Sequence, residues 1–286
     1  MIDGALPYLR CPVCRLPLDR GDRALRCPRG HSFDMARQGY ADLSAGRLPH
    51  TGDSAEMIAD RAGFLAAGHY AFIAAALAEA VRTAADHLQD QEAIGVRGEA
   101  GAPPLIVDAG TGTGDYLAHV LDSAPTAVGL GLDVSKPALR RAARAHPRAA
   151  AVLTDLWRPL PVADACATVI LNVFAPRNGA EFRRVLRPDG WLLVVTPAAD
   201  HLSELVSAHG LIQVDPDKAA RVSGALDEHF APAGTTTLRA GLRLSATEVR
   251  TLIGMTPSAR HVPVNALPTH DRTVTAAVDL SVYRPR

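Results

Sequence analysis

A short apolar run that ends in glycine at every second position restricts this chain to a small set of folds. Residues 105–109 read as a buried strand, and the sequence continues through Val107-Asp108-Ala109-Gly110-Thr111-Gly112-Thr113-Gly114-Asp115-Tyr116. Glycines there let the backbone turn sharply and approach a ligand at the carboxyl end of a first strand, where doubly wound sheets bind cofactors. The spacing departs from G-x-G-x-x-G, and no Gly-Lys-Ser/Thr follows, so a P-loop is excluded. Further strands are expected at 127–132, 150–153, 168–173 and 191–196, with helices from 116, over 136–146 and over 180–186. Such alternation specifies a parallel, doubly wound α/β sheet. Residues 275–283 alternate and are expected to add an edge strand.

Carboxylates recur where these strands end. Asp133 closes the second strand (Gly129-Leu-Gly-Leu-Asp-Val134), about 20 residues past the glycine loop, where a carboxylate can accept both hydroxyls of a ribose. Asp155, in Leu153-Thr-Asp-Leu-Trp157, follows the third strand and could contact an adenine amino group. Glycine loop, Asp133 and Asp155 together resemble the S-adenosylmethionine (SAM) site of class I methyltransferases, a Rossmann-like fold. An NAD-binding domain would share Asp133 but prefers the other glycine spacing. Expected cofactor contacts are Asp108, Gly110, Gly112, Gly114, Asp115, Tyr116, Leu117, Asp133, Asp155 and Leu156. The fourth strand ends in Leu171-Asn-Val-Phe-Ala-Pro176, which in class I methyltransferases faces the methyl group. Asn172 and Phe174 are therefore the candidate catalytic residues, Asn172 orienting and Phe174 stacking on a planar acceptor.

Three of the four cysteines lie near the front, as Cys11-Pro-Val-Cys14 and Cys27-Pro-Arg-Gly-His31. Two short knuckles presenting Cys11, Cys14, Cys27 and His31 build a tetrahedral structural zinc site. The loop between them has too few large apolar residues to fold by burial alone, so metal binding would supply the stabilisation. Isolated Cys166, in an apolar stretch, reads as a small core residue.

The chain of 286 residues balances 30 Lys+Arg against 30 Asp+Glu. That composition excludes a disordered chain and a polytopic membrane protein. No apolar window of about 18 residues and no signal peptide occur, so the expected compartment is the cytoplasm, with no membrane partner. The zero net charge conceals local basicity: Arg10, Arg15, Arg20, Arg23, Arg26 and Arg29 at the front, and Lys136, Arg140, Arg141, Arg144 and Arg148 after the second strand. Helical spacing of apolar residues over 55–88, broken at Gly68-His69, predicts two helices, and the polar, Gly-rich stretch 89–104 predicts a loop. The expected organisation is a zinc-binding module (1–45), a helical connector and linker (46–104) and a methyltransferase domain (105–286).

The ordered set Cys11-Pro-x-Cys14, Cys27-x-x-Gly30-His31-x-Phe33-Asp34, Arg37-Gln-Gly-Tyr40, Asp53-Ser-Ala-Glu-Met57, Arg61, Phe64-Leu-Ala-Ala-Gly-His69-Tyr70, Leu132-Asp-Val-Ser-Lys-Pro137 and Asn172-Val-Phe-Ala-Pro-Arg-Asn178 resembles the zinc-containing 23S rRNA (guanine-N1)-methyltransferases. The last motif is most similar to the Gram-positive, tylosin-resistance branch. The resemblance implies RNA recognition by the zinc-binding module, methylation of a guanine in a 23S rRNA hairpin lining the peptide exit tunnel, a homodimer, and cofactor contacts at Tyr70 and His201, and it leaves open whether macrolide resistance follows. Tyr70 lies on an apolar helical stripe and by pattern alone reads as core. The segment 44–52 holds few basic residues for the RNA contact the resemblance implies. A small-molecule methyltransferase that retains the zinc module, and a non-catalytic SAM-binding RNA-binding protein, are the alternatives.

Overall fold

The computed structural model describes residues 2–48, 52–93, 103–209, 224–256 and 270–286. At the front, helix α1 (Ile2–Ala5) precedes an antiparallel ribbon of β1 (Asp19–Arg20), β2 (Ala24–Arg26) and β3 (Ser32–Asp34). Two helices follow, α2 (Ala55–Ala66) and α3 (Ala71–Ala93). Gly68 separates them at φ +81°, and His69 beside it pairs with Glu248 at 2.8 Å. The expected loop from 89 thus begins later, because α3 continues to Ala93; residues 94–102 lie outside the described set.

The parallel centre of the main sheet is made of β5 (Leu105–Ala109), β6 (Val128–Asp133), β7 (Ala149–Leu153), β8 (Ala167–Val173) and β9 (Leu186–Pro197). Its connecting helices are α4 (Asp115–Ser123), α5 (Lys136–Ala142) and α6 (Gly179–Val185). β4 (Ala41–Asp42), leaving the ribbon, pairs in parallel with β7. β10 (Phe230–Leu244) and β11 (Arg272–Pro285) extend the other side antiparallel, giving the order β10-β11-β9-β8-β5-β6-β7-β4. Helix α7 (Ser203–His209) follows β9, and α8 (Ala246–Gly254) follows β10. The strand order reverses between β5 and β8, which is where a doubly wound sheet opens a ligand crevice.

The strand that was expected at the edge, 275–283, lies inside the sheet: β11 pairs with β9 on one side and β10 on the other. β10 went unread because the Gly234-Thr-Thr-Thr237 stretch of its first half is polar and exposed; the alternation of Leu238, Ala240, Leu242 and Leu244 that follows was the available signal. The helix expected over 136–146 ends at Ala142 and continues as turns.

Burial on both faces explains the continuous apolar strands. Leu105, Val107 and Ala109 face one core, shared with Phe182 of α6 and with Leu9, Cys11, Leu25, Cys27 and Phe33 of the N-terminal segment. Ile106 faces a second core, with Phe64, Ile73 and Leu77 of α2 and α3, Val120 of α4 and Leu252 of α8. The ribbon therefore packs as part of one layer over the sheet. Arg15 fastens it there, donating to the carbonyls of Leu160 (2.5 Å) and Val162 (2.9 Å). A third cluster joins Tyr40, Ala36 and Leu48 to Leu139 and Ala142 of α5.

Candidate active site

A cavity of about 570 Å³ opens over the carboxyl ends of β5, β6, β7 and β8. This is the size range of a cofactor-binding cleft. Among the residues proposed from sequence, Tyr70, Gly110, Gly112, Tyr116, Asp133, Asp155, Leu156, Phe174 and His201 line it. Its charged lining comprises Asp53, Asp133 and Asp155 against Arg61, a balance suited to a cofactor carrying a sulfonium.

Asp133 is the best-held of these carboxylates. One oxygen accepts the Gly112 N–H (2.8 Å) and the other the Ser135 N–H (2.7 Å). Burial raises its pKa, and those two N–H groups partly offset the rise. Each carboxylate oxygen has lone pairs beyond the one engaged, so Asp133 can fix the glycine loop and still accept from a ribose. Asp155 plays a comparable local part: an oxygen accepts the Trp157 N–H (3.0 Å), which closes the turn after β7.

Tyr70, Phe174 and His201 form a near-equilateral aromatic triangle, with centroids 6.4 Å (Tyr70 to Phe174), 6.2 Å (Phe174 to His201) and 6.3 Å (Tyr70 to His201) apart. The Tyr70 hydroxyl lies 3.4 Å from His201 Nε2, and His201 Nδ1 lies 2.8 Å from the Ala277 carbonyl oxygen. Burial pushes the Tyr70 hydroxyl pKa up, so it stays a neutral hydroxyl at the wall. Tyr70 both packs its ring in the second core and lines the cavity. Phe174 adopts φ +51°, a conformation costly for a non-glycine residue and concentrated at functional sites. Its ring is 41% exposed, so the loop presents it to solvent at the cavity mouth.

Five expected site residues are not part of the cavity lining. Asn172 is fully buried, and its Nδ2 donates to the carbonyls of Ala109 (3.0 Å) and Pro176 (2.9 Å), clamping the ends of β5 and the 174–176 loop together. Its Oδ1 has no hydrogen-bond partner among the described residues. In this conformation Asn172 braces the loop from below rather than lining the cavity. Leu117 is core on α4. Asp115 is the first residue of α4, with one carboxylate oxygen 3.7 Å from His119 Nδ1, facing away from the cleft. Gly114 caps α4 at φ +82°, and a Cβ there would lie 2.9 Å from Ala142 Cα. Asp108 is the fifth; Gly110, by contrast, lines the cavity, and a Cβ on it would run into the Ala175 methyl.

Asp108 sits beneath the loop, fully buried, accepting from Thr111 Oγ1 at 2.7 Å. Desolvation raises its carboxyl to about 7, the Thr111 hydrogen bond opposes the rise, and the Asp133 charge adds to it. A carboxyl raised by folding stabilises the fold fully below its unfolded value near 4, and that contribution disappears as pH rises through about 7. Asp108→Asn, a neutral isostere, is accordingly expected to stabilise the protein at pH 8 by roughly 2–4 kcal/mol and to change little at pH 4. Thermal melts across that range check it.

Sequence reasoning assigned no role to Arg61, Asp53 or Trp157, all cavity-lining. Arg61 Nη2 pairs with Asp53 Oδ2 at 2.7 Å and donates to the Met255 carbonyl at 2.9 Å, joining α2 to the end of α8. The quoted Asp53 and Arg61 motif was the available signal, but contact with the turn after α8 is a tertiary fact.

Cys11, Cys14, Cys27 and His31 converge, their ligand atoms all within 4.8 Å of one another. Cys14 Sγ lies 3.7 Å from Cys27 Sγ, and His31 Nδ1 lies 3.6 Å from Cys11 Sγ and 3.2 Å from Cys27 Sγ. Tetrahedral zinc with bonds of about 2.3 Å to sulfur and 2.0 Å to nitrogen implies edges of roughly 3.8 Å and 3.5 Å. The donor set thus fits a closed, structural zinc centre. Cys166 stands apart, its thiol donating to the Ala163 carbonyl and its pKa pushed up to about 11 by burial, which keeps it unreactive.

A doubly wound sheet whose switch-point cavity carries Asp133, joined to a zinc ribbon, defines a class I SAM-dependent methyltransferase. Residues 9–45 match the N-terminal zinc-ribbon family of RlmA, and residues 106–190 match the methyltransferase domain family. The chain is 46% identical over 284 residues to the 23S rRNA (guanine(748)-N(1))-methyltransferase of Streptomyces fradiae, covering 97% of each. It is 60% identical over 291 residues to a Micromonospora griseorubida protein named as a candidate 23S rRNA (guanine-N(1)-)-methyltransferase, covering 98% of each. A Bacillus subtilis (strain 168) protein named in the same way is 29% identical over 264 residues, covering 89% of this chain and 87% of its own. The chain belongs to the 23S rRNA (guanine-N1)-methyltransferase family.

Proposed function

We propose that this chain methylates N1 of a guanine in a 23S rRNA hairpin lining the peptide exit tunnel, at the position numbered 748 in the Streptomyces fradiae relative. The observation that carries this reading is the Phe174 loop, strained and exposed, facing the same cavity as Asp133. SAM supplies an electrophilic methyl on a sulfonium.

This chain's residues then have three tasks. Asp133 and the backbone of the Gly110–Tyr116 turn hold the nucleoside end of the cofactor, with Tyr70 and His201 on the opposite wall. Arg61 is the cation available to a carboxylate. Phe174 stacks on the guanine, held in place by the Asn172 clamp below it. In-line transfer needs alignment more than chemistry from the protein. Guanine N1 must shed its proton to a base or a water relay, and it lies on the Watson–Crick edge, so the nucleotide must be unpaired or flipped out.

RNA recognition is assigned to residues 1–45, connection to 46–104 and catalysis to 105–286. Of the six front arginines, Arg10, Arg15 and Arg20 bind protein groups, whereas Arg23, Arg26 and Arg29 are exposed with no ion pair among the described residues. Arg140, Arg141 and Arg144 are exposed as well, and packing of 36–48 on α5 brings ribbon and helix together. These groups suit phosphate contact. The reading includes a cytoplasmic homodimer; no described single helix is long and apolar enough to cross a membrane. β10, with no strand partner on its outer side among the described residues, offers a dimer edge that sedimentation can test.

The test is labelled SAM with a 23S hairpin transcript. One methyl per hairpin and a reverse-transcription stop at the guanine are expected; label confined to small molecules in an extract, or resistance of a substituted guanine to loss of signal, overturns the reading. Arg61→Ala is expected to weaken SAM binding about tenfold by calorimetry, losing one charged hydrogen bond of about 1.5 kcal/mol.

A further inference from the structure

Among the described residues only Val13, Trp157 and Phe174 are exposed large hydrophobic side chains, and two of them line the cavity. Trp157 is the more open, at 61% exposure. Leaving an indole in water forfeits more burial than leaving any other side chain, and its backbone is not loose. Trp157 N–H is bound by Asp155, the preceding Leu156 carbonyl accepts from Asn178 Nδ2 (3.0 Å), and Arg158 N–H donates to the Asp155 carbonyl (3.1 Å). Arg158 also reaches across to the carbonyls of Ser44 (3.5 Å) and Arg47 (3.1 Å). A tightly tied turn thus holds an exposed aromatic ring out over the cavity.

Its position identifies what it would meet. The Asn178 bond draws the turn after β7 toward the loop after β8, where Phe174 stands. The Arg158 bonds tie the other side of the same turn to the 44–47 segment, which leads out of the zinc ribbon. Trp157 therefore stands between the place where the reacting base enters and the ribbon that carries exposed arginines. Single-stranded nucleotides are held by stacking on such platforms.

We propose that Trp157 is a base-stacking site for the nucleotide adjoining the methylated guanine, with Phe174 reserved for the guanine itself. Resting on the rRNA reading above, it makes Trp157 a residue that holds RNA in register rather than one that touches the cofactor. It also answers the scarcity of basic residues in 44–52: the contact near that segment is made by an aromatic ring braced by Arg158.

Trp157→Ala and Trp157→Phe are compared with the full zinc-loaded wild type on the hairpin transcript. Stacking contributes about 1–3 kcal/mol per base, so the alanine variant is expected to raise KM for RNA roughly 5–150-fold. Its kcat at saturating RNA and KM for SAM should stay within about twofold, and phenylalanine should restore most of the loss. The chain has two tryptophans, and Trp191 is half-buried under Arg284. RNA added in the presence of S-adenosylhomocysteine should therefore quench emission in the wild type but not in Trp157→Phe. An unchanged RNA KM, a fall confined to kcat or to SAM affinity, or equal quenching in the phenylalanine variant would each overturn the proposal. Wild-type methylation of the hairpin in the same assay shows separately that the rRNA reading holds.

Discussion

Cys14→Ala is expected to release zinc and lower the stability of the whole protein, by about 3–5 kcal/mol or on the order of 10 °C in Tm. From sequence, losing the metal would unfold or loosen the front module while SAM binding by the second domain survived in part. Packing enlarges that outcome. Cys11 and Cys27 belong to the same apolar cluster as Val107, Leu130 and Ile170 of the central strands, and β4 is hydrogen-bonded to β7. Unravelling the knuckles exposes one face of the sheet, so melting should remain a single transition at lower temperature. Affinity for SAM is expected to fall only in part, because the cavity is lined by the second core and the strand ends. Zinc content by chelation with a chromogenic dye, together with calorimetric melts, checks this; full metal content and an unchanged Tm would remove Cys14 from the ligand set.

Asp133→Ala is the substitution expected to damage the cofactor site most. On the proposed reading it removes a charge-assisted acceptor for ribose, worth about 1.5–3 kcal/mol, which corresponds to roughly 10–150-fold in Kd. It also releases the Gly112 and Ser135 N–H groups, buried donors left without their partner. The glycine loop and the start of α5 should lose definition together, so the loss is expected to reach the upper end of that range. Asp133→Asn separates the two effects: one amide oxygen can keep one of the N–H bonds, while the amide nitrogen faces a second donor. Its SAM affinity should lie between wild type and alanine. Calorimetric titration with unchanged affinity in the alanine variant would exclude Asp133 from the site.

Some parts of the site were readable before any coordinates and some were not, for reasons visible in particular residues. Asp133 could be found because it ends an apolar strand at a fixed distance from a glycine turn, and local chain geometry alone brings the two together. The Asn172 clamp was not readable, because a polar residue at a strand end looks identical whether it faces a substrate or a neighbouring carbonyl, and only the fold brings Ala109 and Pro176 to it. Glycines 110 and 114 are turn residues whose missing side chains leave room for Ala175 and Ala142, and of the two Gly110 lines the cavity while Gly114 does not. Tyr70 and His201 are 131 positions apart, and no periodicity links them.

By itself, the sequence determined the elements with short-range causes: the central strands from their apolar runs, the converging Cys and His side chains from two knuckles, and the carboxylate and glycine turn at the cavity from strand-to-helix spacing. Tertiary structure alone decided that the ribbon is a layer of the sheet's own core, that β11 is interior, and that Tyr70, Phe174 and His201 close one wall. The division follows from how the information is carried. Backbone propensity, turn chemistry and chelate spacing act over a few residues and are written in order along the chain. Burial partners and strand neighbours depend on surfaces that meet only when the whole sheet has assembled.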